Sequence, residues 1–199
     1  MKTCLILDYG VGNVASIRTF LRENGYTVTL GNNPLDVRNA DLLILPGVGS
    51  FNTASENMKQ SGVITEIQNR HDRNEPILGI CLGFQLLTNS SSESPKSFGL
   101  GIFNGSTIRL KEFSRIGWGK LDFFDSTTSF LNDYFYFNHS FGTYDTEGAY
   151  IKATSGLSEY LALVINAKTV GVQFHPERSQ KSGAHFLTWL EKEIWNLDD

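Results

Sequence analysis

Short apolar runs alternate with apolar residues at helical spacing through the first half of the chain. Buried strands are predicted at Cys4 to Leu7, Tyr26 to Leu30, Asp41 to Leu45 and Ile77 to Ile80. Helices are predicted from Val14 until Gly25, from Pro34, and once or twice between Phe51 and His71. The strands are rich in Ile, Leu and Val and do not alternate with polar residues, which is typical of a parallel sheet covered by helices on both faces.

The second half has shorter strand candidates and joints rich in Gly and Ser. Strands are predicted at Thr107 to Leu110, Leu121 to Phe124, Tyr134 to Phe137, Leu161 to Ile165 and Thr169 to Phe174. Phe186, Leu187, Leu190 and Ile194 share one face of a closing helix, and Ser90 to Ser97 is interpreted as a solvated loop. The predicted fold is α/β: a mostly parallel, doubly wound sheet with helices on both faces and a smaller antiparallel extension, in one domain over 1–199.

Composition and charge exclude several functions. Hydrophobic residues make up 40% and charged residues 19% of 199 residues, and the net charge is -4, with acidic and basic residues mixed along the chain. This pattern offers no basic stripe for nucleic acid and no polybasic patch for a membrane, and no apolar run is long enough for a membrane span. Two cysteines are too few for a disulfide framework, so a cytoplasmic location is expected, without a metal site.

Candidate chemistry centres on Gly79-Ile80-Cys81-Leu82-Gly83, where a predicted buried strand meets a helix. The pattern has the form of a nucleophile elbow, in which a tight turn needs glycines beside the nucleophile. The helix amino terminus that follows favours a thiolate and supplies N–H groups for an oxyanion. The alternative is that Cys81 is one more small buried residue; the local pattern favours the elbow.

A thiol nucleophile needs a base, and imidazole is the usual choice near neutral pH. His175 directly follows an apolar strand, at the carboxyl edge where doubly wound sheets bind ligands. Glu177, just beyond Pro176, can accept the second ring N–H. His139 also follows an aromatic strand and stays a rival base, whereas His71 and His185 are interpreted as surface or packing residues.

The segment Gly10-Val11-Gly12-Asn13-Val14-Ala15 satisfies the G-x-G-x-x-A pattern of a dinucleotide site between a strand and a helix. Such a site also needs an acid at the end of the second strand. Here that strand ends Thr29-Leu30-Gly31, with no acid before Asp36. The glycines are therefore interpreted as a tight turn.

Several motifs together resemble the class I, triad-type glutamine amidotransferases over nearly the whole chain. They are Asp8-Tyr9-Gly10-Val11-Gly12-Asn13, Leu45-Pro46-Gly47-Val48-Gly49, the Cys81 elbow continuing to Leu87, Gly117-Trp118, Phe137-Asn138-His139-Ser140 and the segment from Gly171 to Ser179. The resemblance implies hydrolysis of glutamine through a Cys thioester, without a metal or organic cofactor. The ammonia would pass to a synthase or cyclase subunit built as a (β/α)8 barrel, in a heterodimer.

The same resemblance implies a role for each matching residue. Cys81, His175 and Glu177 would form the triad; Gly47, Val48 and Leu82 the oxyanion hole; and Gln85 and Ser140 would hold glutamine. Residues facing the partner would be Gly10, Asn13, Trp118, Tyr136 and Arg178. We expect the Val48 N–H to point away from the site until the partner and the acceptor substrate bind.

The segment from Ser114 to Gly119 departs from the family, because it lacks the Pro-His that usually precedes Gly-Trp and has Gly119 where Asn is usual. This neighbourhood abuts the synthase in the family, so the departure bears on the partner and not on the triad. The alternative for the partner is a subunit serving a sugar-modifying amidotransferase. Two other classes stay open apart from this departure: a γ-glutamyl hydrolase on the same fold and a binding module with an inactive site.

Overall fold

The computed structural model describes residues 2–10, 12–111, 114–123, 133–147, 151–155 and 160–197. The strands are β1 Thr3–Leu7, β2 Thr27–Gly31, β3 Leu42–Leu45, β4 Ile77–Ile80, β5 Ser90–Ser91, β6 Asn104–Arg109, β7 Arg115–Lys120, β8 Asp122–Phe123, β9 Tyr134–His139, β10 Phe141–Glu147, β11 Ile151–Thr154, β12 Leu163–Asn166 and β13 Thr169–Val172. The helices are α1 Val14–Glu23, α2 Pro34–Asn39, α3 Phe51–Ser61, α4 Ile64–Asp72, α5 Leu82–Leu87 and α6 Gln180–Trp189. A 3₁₀ turn spans Pro176–Arg178, and a π-helical segment, Leu190–Trp195, follows α6.

The main sheet has eight strands in the order β2-β1-β3-β4-β13-β12-β11-β8. The pairs from β2 to β13 are parallel, and those from β13 to β8 are antiparallel. Two smaller sheets, β10-β6-β5 and β7-β9, lie outside it. The predicted α/β fold with a mostly parallel sheet is confirmed, and the antiparallel strands are divided among three sheets instead of forming a single extension.

Apolar residues cover both faces of the parallel strands, because successive side chains on a strand point to opposite faces. On β1, Ile6 belongs to a core cluster with side chains of α1 and α6, whereas Leu5 and Leu7 belong to a cluster with side chains of α2 to α5. Two helices therefore cover one face and four the other, as a doubly wound sheet requires.

Helix boundaries follow local sequence signals. At the start of α2, Pro34 occupies the first turn and the Asn33 side chain accepts a hydrogen bond from Asp36 N at 3.0 Å. At the end of α3, Gly62 adopts a left-handed φ of 73°. The predicted closing helix is confirmed in its buried face, although its last turns wind as a π-helix.

The predictions for the second half need correction at two places, and several of its strands were not predicted. Strand β12 begins at Leu163 and not at the predicted Leu161. The Leu161 N–H donates to the Thr143 carbonyl oxygen, outside the main ladder, and the Ala162 N–H donates to the Ala153 carbonyl oxygen. Strands β7, β10 and β11 were not predicted. Ser90 to Ser97 is a solvated loop only in part: Ser90–Ser91 forms β5, and Ser91 and Ser97 are 2% and 3% exposed, whereas Ser92, Pro95 and Lys96 are exposed. Of the predicted strand Leu121 to Phe124, residues 122–123 are paired, and Phe124 lies outside the described residues.

Within the described part of the chain, no helix has the length and apolar character needed to cross a membrane. Among the same residues, no group of three or more His, Cys, Asp or Glu side chains could hold a metal ion.

Candidate active site

Cys81 lies between the end of β4 and the start of α5, with a left-handed φ of 50° that is rare for a residue with a side chain. The turn depends on close backbone approaches. A Cβ at Gly47 would lie 2.0 Å from the Ile80 carbonyl oxygen, and one at Gly83 would lie 2.0 Å from the Leu45 carbonyl oxygen. The predicted elbow is therefore present, and glycine is needed at these contacts because no side chain fits.

His175 follows β13, beside the strand that carries Cys81. Its N–H donates to the Tyr136 carbonyl oxygen at 2.8 Å, and its own carbonyl accepts from Ser179 Oγ at 2.7 Å. His175 Nδ1 donates to Glu177 Oε1 at 2.9 Å, and the two side chains are 2% and 1% exposed. The structure thus forms the predicted His–Glu pair in a buried setting, with the ring fixed by its backbone and its carboxylate.

The electrostatics of His175 connect it to Cys81. Burial alone lowers the pKa of His175, but the Cys81 sulfur and the Glu177 carboxylate outweigh it and raise the pKa to about 10. Nε2 of His175 is buried and has no hydrogen-bond partner of ordinary geometry among the described residues. The sulfur is therefore close enough to act on the ring charge without a well-formed hydrogen bond, as is common for catalytic pairs before substrate binds.

The other three histidines lie in different environments. His139 Nδ1 donates to the Phe141 carbonyl oxygen at 2.8 Å, and burial lowers the pKa of His139 to about 4. His71 is half-buried against Thr169 Oγ1 at 2.8 Å, and His185 is exposed beside Asp133. The geometry favours His175 over His139 as the base, because the carboxylate partner belongs to His175.

A pocket of about 320 Å³ opens beside Cys81. Its lining comprises Gly47, Val48, Gly49, Cys81, Leu82, Gln85, Glu93, Asn138, His139, Ser140 and Phe141. The structure thus brings together all the residues predicted for the oxyanion hole and for glutamine binding. Sequence reasoning missed Glu93, whose Oε2 accepts from Phe51 N at 3.3 Å at the start of α3. Its only sequence signal is an acid in a serine-rich segment, which is too common to select it.

The loop Pro46 to Gly49 faces Cys81, and Tyr9 contacts the beginning of this loop. The Tyr9 hydroxyl donates a short hydrogen bond to the Pro46 carbonyl oxygen. Burial, and after it the charge of Cys81, raise the pKa of Tyr9. Gly47 is buried, whereas Val48 is 36% exposed and Gly49 has a φ of 132°. The loop therefore has a fixed beginning and an exposed, glycine-containing end.

The predicted tight turn at Gly10 and Gly12 is present, with φ values of 77° and 130°. A Cβ at Gly10 would lie 3.0 Å from Asn57 Nδ2, and one at Gly12 would lie 3.2 Å from Pro46 Cβ. Gly10 is exposed and Asn13 is half-buried. The turn therefore packs against the Pro46 loop on one side and reaches the surface on the other.

The remaining residues predicted to face a partner lie on or beside the paired strands β7 and β9. Trp118 pairs with Tyr136 across the ladder, and their rings meet edge to face with centroids 5.8 Å apart. The Arg178 guanidinium carbon lies 5.8 Å from the centre of the Tyr136 ring. Ile116 and Tyr134, on the same face of the ladder, are 65% and 54% exposed. We call this surface, comprising Ile116, Trp118, Tyr134, Tyr136 and Arg178, the aromatic face.

The family of the chain follows from its similarity to known proteins. A model of the family Glutamine amidotransferase class-I matches residues 5–195, so the chain belongs to this family of enzymes. It is 37% identical over 202 residues to imidazole glycerol phosphate synthase subunit HisH of Lactococcus lactis subsp. lactis, covering 98% of this chain and 100% of that protein. It is 35% identical over 209 residues to the subunit of the same name from Prochlorococcus marinus, covering 96% and 97%.

A solved structure of a glutamine amidotransferase aligns with a TM-score of 0.75 at 18% identity, covering 94% of this chain and 97% of that chain. At this identity the likeness concerns the fold alone. It supports the α/β fold described above.

Proposed function

We propose that this chain is the glutaminase subunit of imidazole glycerol phosphate synthase in histidine biosynthesis, formed by one domain over 1–199 and acting in the cytoplasm. The relatives that carry that name match it over nearly their whole length. The observation that supports the chemistry is the elbow Cys81 beside the buried His175–Glu177 pair. Cys81, His175 and Glu177 are the proposed nucleophile, base and orienting acid.

The reaction begins when the Cys81 thiolate attacks the side-chain amide carbon of glutamine. The tetrahedral intermediate collapses as His175 gives a proton to the leaving ammonia, and a γ-glutamyl thioester remains. His175 then takes a proton from water, the hydroxide attacks the thioester, and glutamate leaves as the thiolate reforms. Glu177 holds the imidazole ring in place and stabilises its positive charge throughout.

Stabilisation of the oxyanion is assigned to the backbone N–H groups of Val48 and Leu82, with Gly47 giving the loop its close approach to Cys81. A pre-organised donor of this kind is worth about 3 to 4 kcal/mol in the transition state. Val48 has the exposed position that a peptide flip would need, and we propose that its N–H turns toward the site when the partner binds.

Glutamine binding is assigned to Gln85, Ser140 and Glu93. Free glutamine carries an α-ammonium group, and the Glu93 carboxylate on the pocket wall has the opposite charge. Gln85 and Ser140 lie nearer the turn that follows β9 and offer neutral hydrogen-bonding groups. We expect Glu93 to discriminate glutamine from amides that lack an ammonium group.

The proposed partner is the (β/α)8-barrel cyclase subunit, which would bind the aromatic face and the Gly10 to Asn13 turn to form a heterodimer. Aromatic side chains and Arg are enriched at protein interfaces, and this face exposes both. The backbone carbonyl of Tyr136, at the edge of β9, accepts a hydrogen bond from the His175 N–H. Partner binding is thereby linked to the proposed base by one hydrogen bond.

The test separates ammonia production from ammonia use. With the complete two-subunit enzyme, Cys81→Ala is expected to abolish synthesis from glutamine by at least 10³-fold while leaving synthesis from added ammonium salts unchanged. Product formation is followed under both conditions. Equal loss with both nitrogen sources would contradict the division of labour, and hydrolysis of γ-glutamyl peptides by the free chain would favour a γ-glutamyl hydrolase.

A further inference from the structure

Gln173 contacts the sulfur of Cys81 from the neighbouring strand. Its Nε2 lies 3.5 Å from Cys81 Sγ, within the range of an N–H···S hydrogen bond, and its side chain is fully buried. The contact follows from the sheet, because Cys81 N donates to the Val172 carbonyl oxygen at 2.7 Å and so aligns the two strand ends. Strand β13 ends at Val172 and the chain bends at Gln173. Gln173 and His175 both lie near Cys81, while Phe174 between them packs among aromatic rings.

The orientation of the Gln173 amide is set by a second glutamine. Gln173 Oε1 accepts from Gln85 Nε2 at 3.4 Å, and the same Gln85 nitrogen donates to the Phe141 carbonyl oxygen at 3.0 Å. With its amide turned over, Gln173 would place an NH₂ group against that Gln85 nitrogen, and neither could accept a hydrogen bond. The network therefore fixes the Gln173 oxygen on Gln85 and aims its N–H at the sulfur.

The sulfur also has a possible acceptor beside it. Cys81 Sγ lies 3.8 Å from the Asn138 carbonyl oxygen, to which only the protonated thiol can donate. The Gln173 N–H, in contrast, gains strength when the sulfur becomes an anion, because hydrogen bonds to charged groups are about twice as strong as neutral ones. The two contacts thus act on opposite protonation states of the same atom.

We propose that Gln173 is a further catalytic residue, which donates a hydrogen bond to the Cys81 thiolate and shifts the thiol–thiolate equilibrium toward the anion. This role deepens the proposed glutaminase function and rests on Cys81 being its nucleophile. Because Gln85 lines the glutamine pocket and holds the Gln173 oxygen, the same network connects the occupied pocket to the sulfur.

The test measures the reactivity of the thiol instead of the turnover of glutamine. The intact chain is treated with iodoacetamide from pH 5 to pH 10, and peptide mass spectrometry follows alkylation of Cys81 and Cys4 separately. Gln173→Leu keeps the size of the side chain and removes the donor. It is expected to slow alkylation of Cys81 about tenfold at pH 6 and to move the midpoint of the curve to higher pH. Gln173→Glu places a carboxylate beside the sulfur and should slow the reaction further.

Gln68→Leu is the matched control, because it removes a glutamine amide that donates to the Leu100 carbonyl oxygen at 2.8 Å, away from Cys81. Its alkylation curve should overlay that of the unaltered chain. Thermal unfolding of each variant shows whether it is folded. If Gln173→Leu does not fold, the alkylation curve of Gln173→Glu is compared with that of the unaltered chain instead. Unchanged Cys81 alkylation in a folded Gln173 variant would overturn the role. A shifted curve, together with no glutaminase activity in the complete two-subunit enzyme, would show that Gln173 acts on the Cys81 thiol while refuting the proposed function.

Discussion

The residue at the centre of the site is a cysteine whose backbone conformation is unfavourable and whose neighbours carry charge. Its φ of 50° costs free energy that the surrounding glycine contacts make tolerable, since they hold the turn in place. Beside it, the His175 ring is buried, and the Cys81 sulfur and the Glu177 carboxylate stabilise its positive charge. Sequence alone indicates Cys81 and leaves His175 and His139 as rival bases, because each histidine directly follows an apolar or aromatic strand. The contact between His175 and Glu177 distinguishes them.

Replacing Glu177 with Gln should lower the pKa of His175, because it removes one of the two anions that raise it. The measurement is the ¹³C or ¹H shift of the His175 ring against pH by NMR. The raised pKa favours the folded state fully below the unfolded value near 6.5, and this contribution is lost as pH rises toward 10. The variant should therefore lose less stability between neutral and alkaline pH, and an unchanged titration would contradict the assigned pair.

Replacing His139 with Asn should weaken the dependence of the free energy of unfolding on pH between about pH 4 and 6.5. Burial lowers the pKa of His139 to about 4, so the unfolded chain binds a proton between about pH 6.5 and 4 that the folded chain does not. That contribution is fully present above pH 6.5 and falls as pH decreases, by roughly 1 to 3 kcal/mol. Urea unfolding at pH 7 and pH 4.5 measures it, and an equal pH dependence in the variant would contradict the buried neutral histidine.

At the scale of elements, the loop Pro46 to Gly49 is held by the turn that precedes α1. The Tyr9 hydroxyl fixes the Pro46 carbonyl, and Gly12 packs against the Pro46 side chain. This arrangement fixes the peptide between Pro46 and Gly47. The next peptide, between Gly47 and Val48, carries the Val48 N–H and is free to rotate.

Tyr9→Phe removes only the hydroxyl and should reduce kcat for glutamine hydrolysis about tenfold, because a loosened loop forfeits part of the oxyanion stabilisation. KM should change little, since Tyr9 is not part of the pocket lining. Steady-state kinetics of the complete enzyme measure both constants.

Tyr26→Phe is the control for Tyr9→Phe. It removes a hydroxyl that donates to the Glu191 carboxylate, and neither residue lines the pocket beside Cys81. Both variants should lose about 1 to 2 kcal/mol of stability by leaving an acceptor without its donor. Only Tyr9→Phe should lose kcat. Equal kcat in the two variants would show that the Tyr9 contact is structural.

The elements that sequence reasoning predicted well are those with an unbroken apolar run. Strands β1, β3 and β4 are buried on both faces, and their composition alone indicates it. Strand β7 was missed because Gly117 and Gly119 lower the strand propensity of its segment, yet pairing with β9 forms it. Gln173 was missed as a site residue because its role depends on a cross-strand contact, which no local pattern records.

At the scale of the whole molecule, the carboxyl ends of β4 and β13 bring Cys81 and His175 to one edge of the sheet, as parallel pairing of these strands requires. Except for Arg178, the aromatic face lies on a separate two-stranded sheet, and the edge strand β9 of that sheet accepts a hydrogen bond from the His175 N–H. Sequence motifs indicated both regions, but only the pairing of β7 with β9 shows that Trp118 and Tyr136 are neighbours.

Trp118→Ala should weaken binding of the cyclase subunit at least tenfold, because a large aromatic side chain at the centre of an interface typically contributes about 2 kcal/mol or more. Titration calorimetry with the purified subunit measures the affinity. Leu35→Ala is the control, since Leu35 is an exposed apolar residue on α2, outside the aromatic face. Equal affinity for both variants would contradict the assignment of this face to the partner.

The most direct test of the account is to identify the residue that attacks glutamine. The complete enzyme is incubated with 6-diazo-5-oxo-L-norleucine, a glutamine analogue that alkylates the nucleophile, and the modified peptide is sequenced by mass spectrometry. One adduct is expected, on Cys81; it should form far more slowly in His175→Ala and be absent from Cys4. An adduct on another residue, or unmodified Cys81 in a complex that still uses glutamine, would contradict it.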